Sequence, residues 1–195
     1  MGFSSLVRAD LGLDPWDVFH QGVAERLGAP IGAVTVATGF VVLLAWIPLR
    51  ERPGVGTILN ALIIGTVMDL LIDRLPEPGG WPSAWAMLVV GVVLPGIGSG
   101  FYIGSQLGPG PRDGLMTGIA RRGHSLRLVR TALELAALLS GWALGGTVGV
   151  GTLVFAVSIG PLVQLSLEHL SMSDRDKRPA EVTPTAGTPG SGPGR

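Results

Sequence analysis

The sequence predicts an all-α, polytopic membrane protein made of two three-helix repeats inserted in opposite orientations, the first repeat lacking its leading helix. Three observations carry this. Of 195 residues, 47% are hydrophobic and only 14% charged, too apolar for a soluble domain of this size. Long stretches carry no charge. The chain also matches itself at a shift of about half its length.

The uncharged stretches set the spans, because roughly 20 residues rising 1.5 Å each cross a hydrocarbon core of about 30 Å. Leu27 to Leu49 and Pro78 to Pro111 have no charge, Val55 to Ile72 has only Asp69, and Thr131 to Leu167 has only Glu134. The last stretch is long enough for two helices, with Gly145, Gly146, Gly149 and Gly151 marking the turn between them. Five spans result, at about 31–49, 55–73, 84–106, 126–145 and 148–168. Residues 171–195 are rich in Pro, Gly, Ser and Thr and read as a disordered tail, too polar to offset their own chain entropy.

At a shift of 96, Leu11, Gly12, Pro15, Asp17, Gly22, Ala24 and Arg26 fall on Leu107, Gly108, Pro111, Asp113, Gly118, Ala120 and Arg122. At a shift of 95, Gly54-Val-Gly-Thr57, Ala61, Ile64 and Gly65 fall on Gly149-Val-Gly-Thr152, Ala156, Ile159 and Gly160. The chain therefore divides into a first repeat, 1–75, and a second, 76–170. In the second, the Leu-Gly-x-x-Pro-x-Asp element follows a full span. In the first only Met1 to Asp10 precede it, so one span is expected to be missing.

An odd number of spans per copy forces opposite orientations, and the cations agree. Arg50, Arg52, Arg112, Arg121, Arg122, Arg175, Lys177 and Arg178 fall on one side, against Arg8, Arg26 and Arg74 on the other. The richer side is expected to be cytoplasmic, and with it the C-terminal tail. The Leu11–Asp17 element then faces outward and Leu107–Asp113 inward.

Each of these elements opens a short helix. Asp14 can cap the first, Pro15 and Pro111 suit the first helical position, and Asp17 and Asp113 follow where the helix dipole favours a carboxylate. The two aspartates either stabilise helix ends or sit on half-helices that dip toward a central cavity and bind a cation or a protonatable group. Arg130 and Glu134, four apart in the fourth span, form an ionisable pair that is either a pathway element or a structural ion pair near the interface. Asp69 and its repeat mate Gln164 are polar positions near span ends. Thr57 and Thr152 can bond backbone or line a path.

Small residues mark helix contacts. Gly54 and Gly56, with Gly149 and Gly151, open spans and allow close approach, while Gly96, Gly100, Gly104 and Gly108 recur every fourth residue as a contact face, within the chain or between two copies. Gly96-Ile-Gly-Ser-Gly100 lies inside an apolar span without the strand and acidic residue of a dinucleotide site.

Several functions are excluded. There is no cysteine, hence no disulfide or thiolate chemistry. His20, His124 and His169 are read as scattered over loops without ligand spacing, so no metal site is expected. Balanced charges give no pull toward nucleic acid. No nucleophile and base pair is evident in the spans, so neither an enzyme nor a cofactor is expected.

Leu11-Gly-Leu-Asp-Pro-Trp-Asp17, Gly54-Val-Gly-Thr57, Gly104 to Asp113, Arg130-Thr-Ala-Leu-Glu134 and Gly141-Trp-Ala-Leu-Gly-Gly-Thr-Val-Gly-Val-Gly-Thr152 together resemble the bacterial YczE/YitT-type integral membrane proteins. The likeness covers about residues 6–168. It implies a helical fold in the bacterial cytoplasmic (inner) membrane and supplies no reaction. Two functions follow as expectations: a small-molecule transporter or permease, or a non-transporting accessory protein that binds a partner through its helices or cytoplasmic loops.

Overall fold

The computed structural model describes residues 1–104 and 107–170, and every regular element among them is an α-helix. The tail 171–195 lies outside the described residues, as do the surroundings of Gly100 and Gly104. In order, the helices are α1 (Gly2–Ala9), α2 (Pro15–Leu27), α3 (Ile31–Leu49), α4 (Val55–Ile72), α5 (Trp81–Gly104), α6 (Pro111–Ala120), α7 (Leu126–Leu144) and α8 (Val150–Leu170).

Local chemistry sets the boundaries. α2 begins where the Asp14 carboxylate accepts the Trp16 and Asp17 amides, both at 2.8 Å, and ends at Gly28 in a left-handed cap. α7 ends in the same way at Gly145, one residue short of the expected limit. α4 stops at Ile72, also one residue early. α5 begins at Trp81, three residues ahead of expectation, because the Gly80 amide is taken by the Ser83 hydroxyl and Pro82 falls in a first turn that needs no amide. α8 runs over 150–170 rather than 148–168, its start fixed by the Gly149 turn.

Three described helices are long and apolar enough to cross a membrane: 31–49, 55–72 and 81–99. A shorter apolar stretch covers 150–166. Only 22% of the α3 span and 28% of the α4 span are buried inside the chain, so Phe40, Val41, Leu44, Ile47 and Leu59 present their side chains outward. Such an apolar surface needs lipid against it. α7 carries Arg127, Arg130 and Glu134 in its first half and is apolar beyond them.

α1 is an element that the sequence did not announce. At a shift of 96 it falls on the end of α5, and it packs against α5 with Leu6 fully buried and Gly2 lodged on Pro95. With Leu13, Val18, Leu88, Val92 and Phe155 it forms the main apolar core.

Each of the short helices α2 and α6 packs chiefly on the opposite half. α2 lies on α7, α6 lies on α3, and the loops ahead of both short helices are seated by the opposite half. The Gly56 amide donates to the Leu107 carbonyl at 3.0 Å, and the Gly151 amide donates to the Leu11 carbonyl at 2.7 Å. Gly12 and Gly108 turn their loops with φ of 113° and 114°, values closed to most side chains. A Cβ on Gly12 would stand 2.7 Å from Thr152 Oγ1, and one on Gly108 would stand 2.9 Å from Thr57 Oγ1. At Gly54 and Gly149 an added Cβ would meet the Leu107 and Leu11 carbonyls, each at 2.4 Å.

Candidate functional site

These crossed contacts aim the starts of α2 and α6 at one another. Between them lies a cavity of about 340 Å³. Its walls are Thr38, Gly39 and Val42 at mid-length of α3, Asn60, Ala61 and Ile64 at mid-length of α4, and Pro95, Gly98 and Ser99 of α5. The charged groups come from the short helices: Asp14, Asp17 and His20 of the first, Arg112 and Asp113 of the second.

Asp14 is 1% exposed. Its Oδ1 is occupied by the two amides it caps, and its Oδ2 stands 3.8 Å from Nη1 of Arg112, with no hydrogen bond. Asp17, also buried, places Oδ1 3.1 Å from Nδ1 of His20 and leaves Oδ2 without a partner. The Trp16 indole N–H is buried and unpartnered as well. Buried polar atoms rarely go unsatisfied, and these three all belong to side chains that wall the cavity.

The tautomer of His20 follows from its neighbours. The Thr35 hydroxyl gives its proton to the Ile31 carbonyl at 2.9 Å, so at 3.2 Å from His20 Nδ1 its oxygen is an acceptor. Nδ1 therefore faces two acceptors, Asp17 and Thr35, and is the protonated nitrogen. His20 sits within α2 and not in a loop, which corrects the expectation from sequence.

Arg112, its side chain 39% exposed, also lines the cavity. It lies in the field of Asp14, Asp113, Asp17 and Glu134. α6 differs from α2 at its start, since Gly110 offers no side-chain cap. Its first turn is held from the other side, where the buried Trp46 indole donates to the Pro111 carbonyl at 3.0 Å.

Of the residues that the sequence singled out, Asp17 and Asp113 line this cavity. Arg130 and Glu134 pair with each other at 2.9 Å on α7 and do not line it. Asp69 accepts the Gly32 amide at 2.6 Å and so holds the start of α3. Thr57 donates to the Pro109 carbonyl at 2.7 Å and accepts the Gly54 amide, and Thr152 accepts the Gly149 amide at 3.3 Å. Gln164 is exposed on α8, away from the cavity. Gly96 lies against Leu162 of α8, and among the described residues no group of acidic, Cys and His side chains could hold a metal. Asp14 was legible only as a cap, and Trp16, His20 and Arg112 were not singled out. Each has a repeat mate of different character, Asp14 with Gly110 and Trp16 with Arg112, and that break in symmetry was the available signal.

A model of a family of unknown function, DUF6198, matches residues 1–168. The chain belongs to this family. A similar protein of Haemophilus influenzae, named only as uncharacterized, is 40% identical over 172 residues, 88% of this chain and 79% of its own length. The uncharacterized membrane protein YczE of Bacillus subtilis is 33% identical over 159 residues, 80% of this chain and 74% of YczE. The YczE likeness read from the motifs thus holds across the chain, and with the apolar helices it makes this DUF6198 member a multi-pass membrane protein. No solved structure gives a significant match.

Proposed function

We propose that this protein is a small-molecule transporter with five spans, α3, α4, α5, α7 and α8, arranged as two inverted repeats around the central cavity. One observation carries the proposal. Two short helices, one from each half, meet start to start beside the mid-length of α3 and α4 and bring ionisable side chains, Asp14, Asp17 and His20 of them buried, to a common space, an arrangement expensive in lipid unless it serves a polar solute.

The inversion has its own support. α3 and α7 are both 19 residues long. The end of α2, just before α3 begins, is tied to the end of α7 by Arg26 Nε donating to the Leu144 carbonyl at 3.2 Å. The end of α3 is tied to the approach of α7 by Arg122 donating to the Pro48 carbonyl. The corresponding helices α3 and α7 are thus tied end to opposite end, which supports the inversion. The cation bias favours a cytoplasmic C-terminus in the bacterial inner membrane.

The test is flux. Full-length protein is reconstituted in proteoliposomes and charge movement or uptake is followed for a panel of small solutes. At least one solute should move with the wild type and not with Asp17→Asn. Equal flux in both for every solute would sink the proposal, and solute binding without flux would favour an accessory or receptor role.

A further inference from the structure

The lining of the cavity narrows what it can hold. Three carboxylates, Asp14, Asp17 and Asp113, face one guanidinium, Arg112, so the space favours a cation. Two carboxylate oxygens, Oδ2 of Asp14 and Oδ2 of Asp17, are buried without a hydrogen bond, and both side chains are more than nine-tenths buried. They come from one turn at the start of α2, and both side chains line the cavity.

A bare metal cation fits this poorly. Hard cations ask for about six oxygen ligands in a closed shell, whereas Thr38, Asn60 and Ser99 are interspersed in the wall with Phe3, Val42, Ala61, Ile64 and Pro95. That surface suits a carbon skeleton, and a space of about 340 Å³ is far larger than an ion needs. An ammonium group has three donors. It satisfies both aspartate oxygens and leaves one N–H for a wall hydroxyl such as that of Thr38 or Ser99. The unpartnered indole N–H of Trp16 and the uncapped start of α6 at Gly110 offer donors to any acceptor elsewhere on the same molecule.

We propose that the cavity binds a small organic amine in its protonated form, with the ammonium held between Asp14 and Asp17 and the carbon skeleton against the apolar wall. The proposal rests on the cavity being the solute site of the transporter. The ammonium is the recognised group, whether it belongs to a simple amine or to an amino acid whose carboxylate faces Arg112 and the start of α6.

Isothermal titration calorimetry on the full chain in lipid nanodiscs, at constant ionic strength, tests this with matched probes: ethanolamine against ethylene glycol, alanine and leucine against propionate, and sodium chloride. An amine should bind where its amine-free partner does not, and its affinity should fall tenfold or more in Asp17→Asn and in Asp14→Asn. Asparagine still caps a helix, and the unfolding transition of each variant establishes that it is folded. Preference for ethanolamine or for the amino acids tells which source of ammonium is used. Equal binding of propionate and alanine, binding of sodium alone, or no binding to folded wild type would overturn the proposal. Amine binding without flux sinks only the transport reading. Flux of an amine-free solute without amine binding sinks only this one.

Discussion

Asp14 Oδ2 and Arg112 Nη1 stand 3.8 Å apart at the starts of two helices from opposite halves of the chain, Asp14 as the cap of α2 and Arg112 in the first turn of α6. Asp14 is nearly sealed, while the Arg112 side chain keeps 39% of its surface. Arg112→Gln should therefore strand a buried carboxylate and cost about 1–3 kcal/mol of stability. Adding Asp14→Asn should return part of that, because the cap survives and the charge is gone. Thermal unfolding of the two single variants and the double variant reads the coupling, and strict additivity would mean that the pair does not interact.

Gly114 sits on the face of Trp46, where an added Cβ would fall 2.0 Å from Cζ2 of the ring. Gly114→Ala should cost about 1–3 kcal/mol by overpacking. Trp46→Phe in the same chain should relieve much of it, a rescue visible as a recovered unfolding midpoint.

The two threonines of the repeated Gly-Val-Gly-Thr motif differ in their bonds. Thr57 is fully buried and bonds both the Pro109 carbonyl and the Gly54 amide, while Thr152 has the longer bond to the Gly149 amide. Thr57→Val should cost about 1–2 kcal/mol and Thr152→Val less. Denaturant or thermal titration of the two variants compares them directly, and the reverse order would contradict the geometry.

Asp69 is bonded to the start of α3, outside the cavity. Asp69→Ala should lower stability by about 1 kcal/mol, with Asp69→Asn much closer to wild type, since an amide oxygen can still take the Gly32 N–H. Solute affinity should be unchanged in Asp69→Asn. A tenfold loss of affinity there would place this residue on the path instead.

Arg130 and Glu134 bond each other with side-chain exposures of 55% and 35%. Neutralising both together should change stability by no more than about 0.5 kcal/mol and leave flux in place. Loss of flux in a well-folded double variant would assign the pair a direct role.

Span positions were legible because lipid imposes a single demand, about 20 residues with little or no charge, and α3 to α5 meet it with Asp69 as their one ionisable residue. The cavity was harder to see. Its chemistry sits where the two halves differ, and self-comparison rewards only where they agree. Arg112 reads as one more interfacial cation until the fold brings it to Asp14. His20 lacks neighbours in sequence that would mark it, because its second acceptor, Thr35, arrives from the next helix.

The reciprocal seating of Leu11 by Gly151 and of Leu107 by Gly56 also imposes a timetable on biosynthesis. The first short helix leaves the ribosome well before the turn that receives it is made. Until then Asp14 and Asp17 must wait without their final surroundings, in the translocation machinery or at the water interface. The second short helix finds its seat already inserted. Assembly is therefore closed by the C-terminal half, and a nascent chain stopped before Gly151 holds the earlier helices without the clasp that locks the first loop in place.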